Sequence, residues 1–306
     1  MRLAEDTSAE KIDLGIGVYR DASGQVPVMQ AVRRAERAIV ERNLPKSYLT
    51  PFGNPGYCED IERLALGEDH PVLAAGRVIS AQTPGAGSAL RLAAELIHDL
   101  APTSRVWLSE PVWFHQTEFF EKAGMEMCNY RYYDQQNSVL RFDEMLRDLS
   151  GMRPDDVLLL HGCCHNPTGQ DLDIDQWQAV TDLVLKTGAI PSIDIAYQGF
   201  GKGIDEDVAG LRLMAEQVPQ ALLTVSSSKS FGVYRDRAGL LSIIMPPDAA
   251  DTTSVRRKFR DTARQLYFMA PDHGAAIVHE IMSTPDLEQL WRQELDSFRR
   301  SIVSEL

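Results

Sequence analysis

No stretch of the 306 residues is apolar for long enough to cross a bilayer, and the N-terminus lacks the basic-then-apolar pattern of a secretion signal. Cysteine is scarce. The four present (Cys58, Cys128, Cys163 and Cys164) have no disulfide-framework spacing, and sequence neighbours rarely bridge each other, so a reducing cytoplasm is the expected location. Basic residues are in deficit, 31 against 44 acidic ones, and a net charge of −13 disfavours nucleic acid, whose phosphates need a basic face. Internal repeats and low-complexity linkers are also missing. What remains is an ordinary globular composition, 44% hydrophobic and 25% charged, long enough for one large α/β domain with or without a smaller companion.

Short apolar runs alternate with helical patterns. The runs "RVWLS" (105–109), "DVLLLHG" (156–162), "AIPSIDIA" (189–196), "ALLTVSSS" (221–228) and "AGLLSIIM" (238–245) predict strands. Amphipathic spacing predicts helices over 86–99, 113–123, 174–187 and 207–217, and one or two helices over 272–306. Continuous apolar strands with helical spacers imply a mostly parallel sheet covered on both faces, with a ligand site at the carboxyl ends of the strands. His161, Asn166, Asp194, Tyr197 and the segment from Ser226 to Lys229 fall at such ends.

Four motifs follow in order: "AQTPGAGSALRL" (81–92), "HGCCHNPTG" (161–169), "DIAYQGF" (194–200) and "SSSKSFGVYRDRAG" (226–239). A glycine-rich turn opening a helix suits an anion, but the third glycine of a dinucleotide fingerprint is missing. "NPTG" taken alone is a strong turn former. His161, Cys163, Cys164 and His165 carry metal-ligating atoms, yet side chains alternate along a strand end, so four ligands this close are not expected to converge on one ion. Buried structural thiols account for the cysteines, and no metal is expected. Ser226, Ser227 and Ser228 lack the Gly-x-Ser-x-Gly elbow of a serine hydrolase. One chemistry uses the whole set: a lysine amine that can be neutral, a carboxylate opposite to keep a pyridine nitrogen protonated, and hydroxyls, an arginine and a helix N-terminus for a phosphate.

With these motifs the chain resembles the class I (fold type I) pyridoxal-phosphate aminotransferases, in the subgroup of aspartate and aromatic amino acid aminotransferases. The resemblance runs from "KIDLGIGVYRD" to "LWRQELDSFRRSI". It implies an α/β fold with a large domain over 28–298, built on a mostly parallel central sheet flanked by helices. Residues 1–27 and 299–306 would be an N-terminal segment and the beginning of a small domain only partly present. Pyridoxal 5'-phosphate is the implied cofactor. The implied reaction moves an amino group between an aromatic or acidic amino acid and a 2-oxo acid such as 2-oxoglutarate or oxaloacetate, in a ping-pong cycle. A non-catalytic cofactor-binding module, or a lyase or decarboxylase on the same fold, stays open as an alternative.

Position by position, Lys229 matches the Schiff-base lysine and Asp194 the pyridinium partner. Tyr197 and Asn166 match the pair that bonds the cofactor's phenolic oxygen. Arg237 matches the phosphate arginine, with Ser226 and Ser228 as hydroxyl neighbours and Arg235 at the surface. Ala86, Gly87 and Ser88 match the phosphate loop, though the family usually has a hydroxyl where this chain has Gly87. Trp113 matches the ring stacked on the pyridine, and Gly17 a glycine of the substrate-side loop. Tyr48 and Arg264 match residues that reach the neighbouring site of a homodimer, Tyr48 at the phosphate and Arg264 at the substrate's distal carboxylate. A histidine that commonly supports the aspartate is replaced by Gln116, so His161 is expected to take over that support. Phe268, Met269, Ala270 and Pro271 replace a polar run, which fits either hydrophobic substrates or packing drift. The arginine for the substrate's α-carboxylate would lie beyond Leu306, so the chain is expected to be part of a longer protein.

Overall fold

The computed structural model describes residues 17–21, 23–249 and 252–305. Of the expected N-terminal segment 1–27, residues 1–16 and 22 lie outside the described residues, as does 306 of the expected piece 299–306.

Among the described residues, seven strands form the central sheet: β1 (Val78–Thr83), β2 (Arg105–Glu110), β3 (Glu126–Arg131), β6 (Val157–His161), β7 (Ile190–Ile195), β8 (Ala221–Ser226) and β9 (Gly239–Ile244). A two-stranded hairpin, β4 (Tyr133–Asp134) with β5 (Val139–Leu140), stands apart. The sheet order is β1-β9-β8-β7-β6-β2-β3, and β9 alone runs against the others. All five expected strands are present. β1 and β3 are additions, and "AGLLSIIM" is the antiparallel member.

Both faces of the sheet are covered, which is why its strands read as unbroken apolar runs. Along β6, Leu158 and Leu160 join one core cluster while Val157 and Leu159 join the other. The helices Ala86–Leu100, Phe114–Lys122, Ile174–Thr187 and Ala209–Gln217 lie within one to two residues of expectation, the last preceded by a 3-10 turn at Glu206–Val208. Ile174–Thr187 carries its own punctuation: an Asp173–Gln176 capping box at the start and Gly188, φ 73°, at the end. The terminal region forms two helices, Asp272–Ser283 and Pro285–Glu305. The expected boundary at 298/299 therefore falls inside one continuous helix. Tyr19 ties the described N-terminal residues to that helix by stacking on Phe298, with centroids 4.2 Å apart, and by a 2.8 Å hydrogen bond to Ser301.

Candidate active site

The carboxyl ends of β6, β7 and β8 open into a cavity of about 660 Å³. Register sets its floor: His161 pairs with Asp194, and Asp194 with Thr224, on neighbouring strands. Asp194 is 4% exposed. Its Oδ1 accepts from Thr224 Oγ1 at 2.7 Å and its Oδ2 from Gln116 Nε2 at 2.9 Å. The expectation that His161 supports Asp194 needs correction. The Gln116 amide donates to the carboxylate itself, and His161 Nε2 lies 3.0 Å from the same amide nitrogen. Burial lowers the pKa of the His161 imidazole, against the opposing pull of Asp194, so a neutral ring is favoured there. Neither Thr224 nor Gln116 was legible as a direct partner of Asp194, although the register-equivalent place of Thr224 on the next strand is a usable signal.

Lys229 sits one short turn beyond β8, in the helix Ser227–Ser230. Burial pushes its ammonium pKa down; the Asp194 carboxylate opposes that shift and Arg237 adds to it. Its Nζ lies 5.0 Å from the centre of the Tyr197 ring. Arg237 Nη1 donates to Ser228 Oγ at 3.2 Å and to the Tyr234 carbonyl at 3.1 Å, while Nη2 donates to the Pro84 carbonyl at 3.2 Å. These bonds hold the guanidinium against the start of the helix Ala86–Leu100, whose first turn has no side-chain cap. Gly85, at φ 85°, permits the approach: a Cβ there would lie 2.2 Å from Arg237 Nη2. Arg235 is exposed and does not line the cavity.

Ala86, Gly87, Trp113, Asn166, Tyr197, Ser226, Ser228 and Gly17 also line the cavity. Gly17 comes so close that a Cβ would lie 3.2 Å from the Tyr197 hydroxyl. Tyr234, another lining residue, accepts from the Tyr19 N–H at 3.1 Å and so holds that segment at the rim. Phe119 meets Trp113 edge-on at 6.2 Å and completes the aromatic wall. Ser88 is not brought in; its hydroxyl donates back to the Pro84 carbonyl at 3.3 Å. Tyr48 and Arg264 also stand away from the cavity. Tyr48 is 82% exposed and meets Phe268 edge-on at 5.7 Å, and the Arg264 guanidinium lies 5.5 Å over the same ring.

The four potential metal ligands split, for a reason that alternation did not supply. His165 turns away to Ser109 and Thr168, each 2.9 Å from one ring nitrogen. Burial, reinforced by His161, pushes its pKa down to about 2. Cys163 and Cys164 lie beyond the end of β6, where strand alternation no longer holds. Their sulfurs approach each other and Asp207 within 4.8 Å.

The family model for aminotransferase class I and II matches residues 9–306. The chain belongs to this family. It is 42% identical to the aromatic-amino-acid aminotransferase of Pseudomonas aeruginosa, over 98% of this chain and 74% of that protein. To the aspartate aminotransferase of the same organism it is 39% identical, over 97% and 74%. The crystal structure of the aromatic-amino-acid aminotransferase from Burkholderia pseudomallei, covalently bound to pyridoxal phosphate, superposes with a TM-score of 0.94 at 40% identity, covering 98% of this chain and 75% of that one. This is a fold type I aminotransferase chain, and the Burkholderia pseudomallei structure it resembles carries pyridoxal phosphate.

The residues present fit that cofactor. An uncapped helix N-terminus, a fixed guanidinium and two serine hydroxyls form a cradle for a phosphate. Asp194 is a buried carboxylate whose two side-chain hydrogen bonds come from neutral donors, which favours a cationic ring nitrogen beside it.

Proposed function

We propose that this aminotransferase accepts both aromatic and acidic amino acids as donors and a 2-oxo acid such as 2-oxoglutarate as acceptor, with Lys229 as its covalent anchor and proton carrier. The observation that carries the reading is Lys229, partly buried and depressed in pKa, lining one cavity with Asp194 and the Arg237 cradle.

Pyridoxal phosphate, when bound, supplies an aldehyde that holds the amino group and a pyridine ring that takes up the electron pair left on the substrate Cα. The chain's residues then have separate tasks. Lys229 Nζ would hold the aldehyde carbon, and its amine would carry a proton to and from the substrate Cα. A partly buried lysine with a lowered pKa has the neutral amine for both tasks nearer to hand than an exposed one. Asp194, oriented by Thr224 and Gln116, would keep the proton on the ring nitrogen. Tyr197 and Asn166 would donate to the ring's phenolic oxygen, and Trp113 would pack against the ring. Ala86, Gly87, Ser226, Ser228 and Arg237 would hold the phosphate.

Arg264 and Phe268 support the substrate reading. A guanidinium lying over an aromatic ring offers a carboxylate partner and an apolar surface in one place. Both residues are exposed and outside this chain's own cavity, so we assign them, with Tyr48, to the neighbouring site of a homodimer. Residues 28–298 are read as the cofactor-binding domain. Cytoplasmic residence fits four free cysteines and described helices of which none is long and apolar enough to cross a membrane.

Borohydride treatment of the holoenzyme followed by peptide mapping is expected to place the cofactor on Lys229. A panel of donors with 2-oxoglutarate should show turnover of aspartate and of phenylalanine or tyrosine. A label on any other lysine, or turnover confined to aliphatic donors, would overturn the respective assignment.

A further inference from the structure

Two sulfur atoms share one wall of the cofactor cavity. β6 ends at His161, and the chain leaves it through Gly162 into Cys163 and Cys164. Cys164 adopts φ 48°, a left-handed conformation that residues with a Cβ seldom use. The extended alternation is thereby broken, and the two Sγ atoms and an Asp207 carboxylate oxygen all lie within 4.8 Å of one another. The turn is clamped from outside: Asp171 accepts from the Cys164 N–H at 2.8 Å and from the His165 N–H at 2.9 Å. Cys163 is 3% exposed and Cys164 partly exposed, and both line the cavity.

The third member of the cluster decides what the site can take. Asp207 Oδ2 accepts from the Gly199 and Gly201 N–H groups at 2.8 and 3.0 Å, and Oδ1 from those of Lys202 and Gly203 at 2.6 and 3.3 Å. Its lone pairs are committed to a backbone turn. Zinc wants four donors, and this cluster leaves two sulfurs free. A soft centre that needs only two sulfurs suits it better.

We propose that Cys163 and Cys164 form a vicinal-dithiol site that captures trivalent organoarsenicals and, once filled, blocks the cofactor cavity. With an arsine oxide, R–As=O, two As–S bonds form while the As=O bond and both S–H bonds break. Oxygen leaves with the two protons as one water, and arsenic stays trivalent. The neighbouring Cys164 sulfur and burial push the Cys163 thiol well above its ordinary pKa, which makes thiolate-dependent alkylation or oxidation slow at that sulfur. The arsenic condensation consumes protonated thiols in its overall balance, so a raised thiol pKa does not weaken the adduct at equilibrium.

Capture is independent of the proposed substrate reading; only the accompanying loss of activity rests on the cavity being the active site. Phenylarsine oxide added to the holoenzyme is expected to give one adduct, heavier by C6H5As less two hydrogens, on the peptide that holds Cys163 and Cys164. Transaminase activity should fall in step, and 2,3-dimercaptopropanol should restore it where 2-mercaptoethanol at equal thiol concentration does not. Cys163→Ala or Cys164→Ser should each weaken capture roughly a hundredfold or more, the advantage of a second tethered bond. Cys58→Ala should leave capture as it is. Peptide mapping of the unaltered protein keeps the test decisive if a variant fails to fold. An adduct on Cys58 or Cys128, or no adduct on the folded holoenzyme, overturns the site. A correct adduct with full activity overturns the blocking role.

Discussion

A lysine largely withdrawn from water costs the cofactor-free protein stability, and the size of that cost depends on pH. Burial lowers the native pKa of Lys229 below its ordinary 10.5. Below the depressed value both native and unfolded chains carry the proton, and the native state bears the full penalty. Between the two values only the unfolded chain is protonated, so stability rises with pH until the penalty vanishes near 10.5. Lys229→Met should therefore raise the Tm of the cofactor-free protein by about a few degrees at neutral pH, a gain that shrinks as pH rises. In the holoenzyme the same change should cut turnover roughly a hundredfold to ten-thousandfold. Calorimetry of the cofactor-free form at several pH values checks the first statement, and steady-state rates the second. Gln116 permits a finer test. Gln116→Leu removes one donor to the Asp194 carboxylate, a bond to a charged group worth about 1.5–3 kcal/mol. Turnover should fall roughly tenfold to a hundredfold, and Gln116→His, which keeps a donor, should recover most of it. Lys229, Asp194, Asn166, Tyr197 and Arg237, which line one cavity, could be read as candidates because their residue types carry the chemistry and their order is distinctive. Gln116 was legible only as a departure, and Thr224 not at all. Both act by hydrogen-bonding a carboxylate from another element, which leaves no mark on local spacing.

Among the elements, the strands that could be read were those buried on both faces. β1 escaped because Ser80, Gln82 and Thr83 make it look like a loop. Its polar groups are satisfied internally: Ser80 bonds Ser242 at 2.7 Å, and Gln82 donates to the Pro271 carbonyl at 2.7 Å while accepting from the Asn54 N–H at 2.9 Å. β3 escaped as an edge strand whose residues are mostly half-exposed. The direction of β9 was hidden as well, since an apolar run does not reveal which way it points. The starts of β2 and β6 are joined by a buried ion pair. Asp156 bonds the Arg105 guanidinium and accepts from the Trp107 indole at 3.0 Å and from the Arg153 N–H at 2.9 Å. Burial works against ionisation of Asp156, and these bonds overcome it, holding the carboxyl below its ordinary 3.8. Asp156→Ala strands the arginine charge and should cost about 3–5 kcal/mol, read as a lower urea midpoint. The contribution is whole above pH 3.8 and is lost as pH falls through the depressed native value, so the two proteins' stabilities should converge in strong acid. Comparable losses at pH 7 and in strong acid would assign the effect to packing instead.

At the scale of the whole molecule, the question is whether one chain can make a complete site. Tyr48, Arg264 and Phe268 cluster on the surface, away from the cavity that holds Lys229. If Arg264 serves the neighbouring site of a twofold dimer, the two defects lie in different places when they are carried by different subunits. Lys229→Ala subunits have no anchor but present an intact Arg264. Arg264→Ala subunits keep the anchor and lack the arginine offered across the interface. A heterodimer, isolated by two different tags after co-expression, then contains one site with both groups and one with neither. With an acidic donor such as aspartate, each variant alone should be poor, and the heterodimer should regain about half of the unaltered dimer's rate. With phenylalanine, the Arg264→Ala homodimer should already work, because the ring makes no demand on the guanidinium. If Arg264 acted within its own subunit, the heterodimer would carry one site without the anchor and one without the arginine. Aspartate turnover would then stay at the level of the single variants, and the assignment of Arg264 to the neighbouring site would fall.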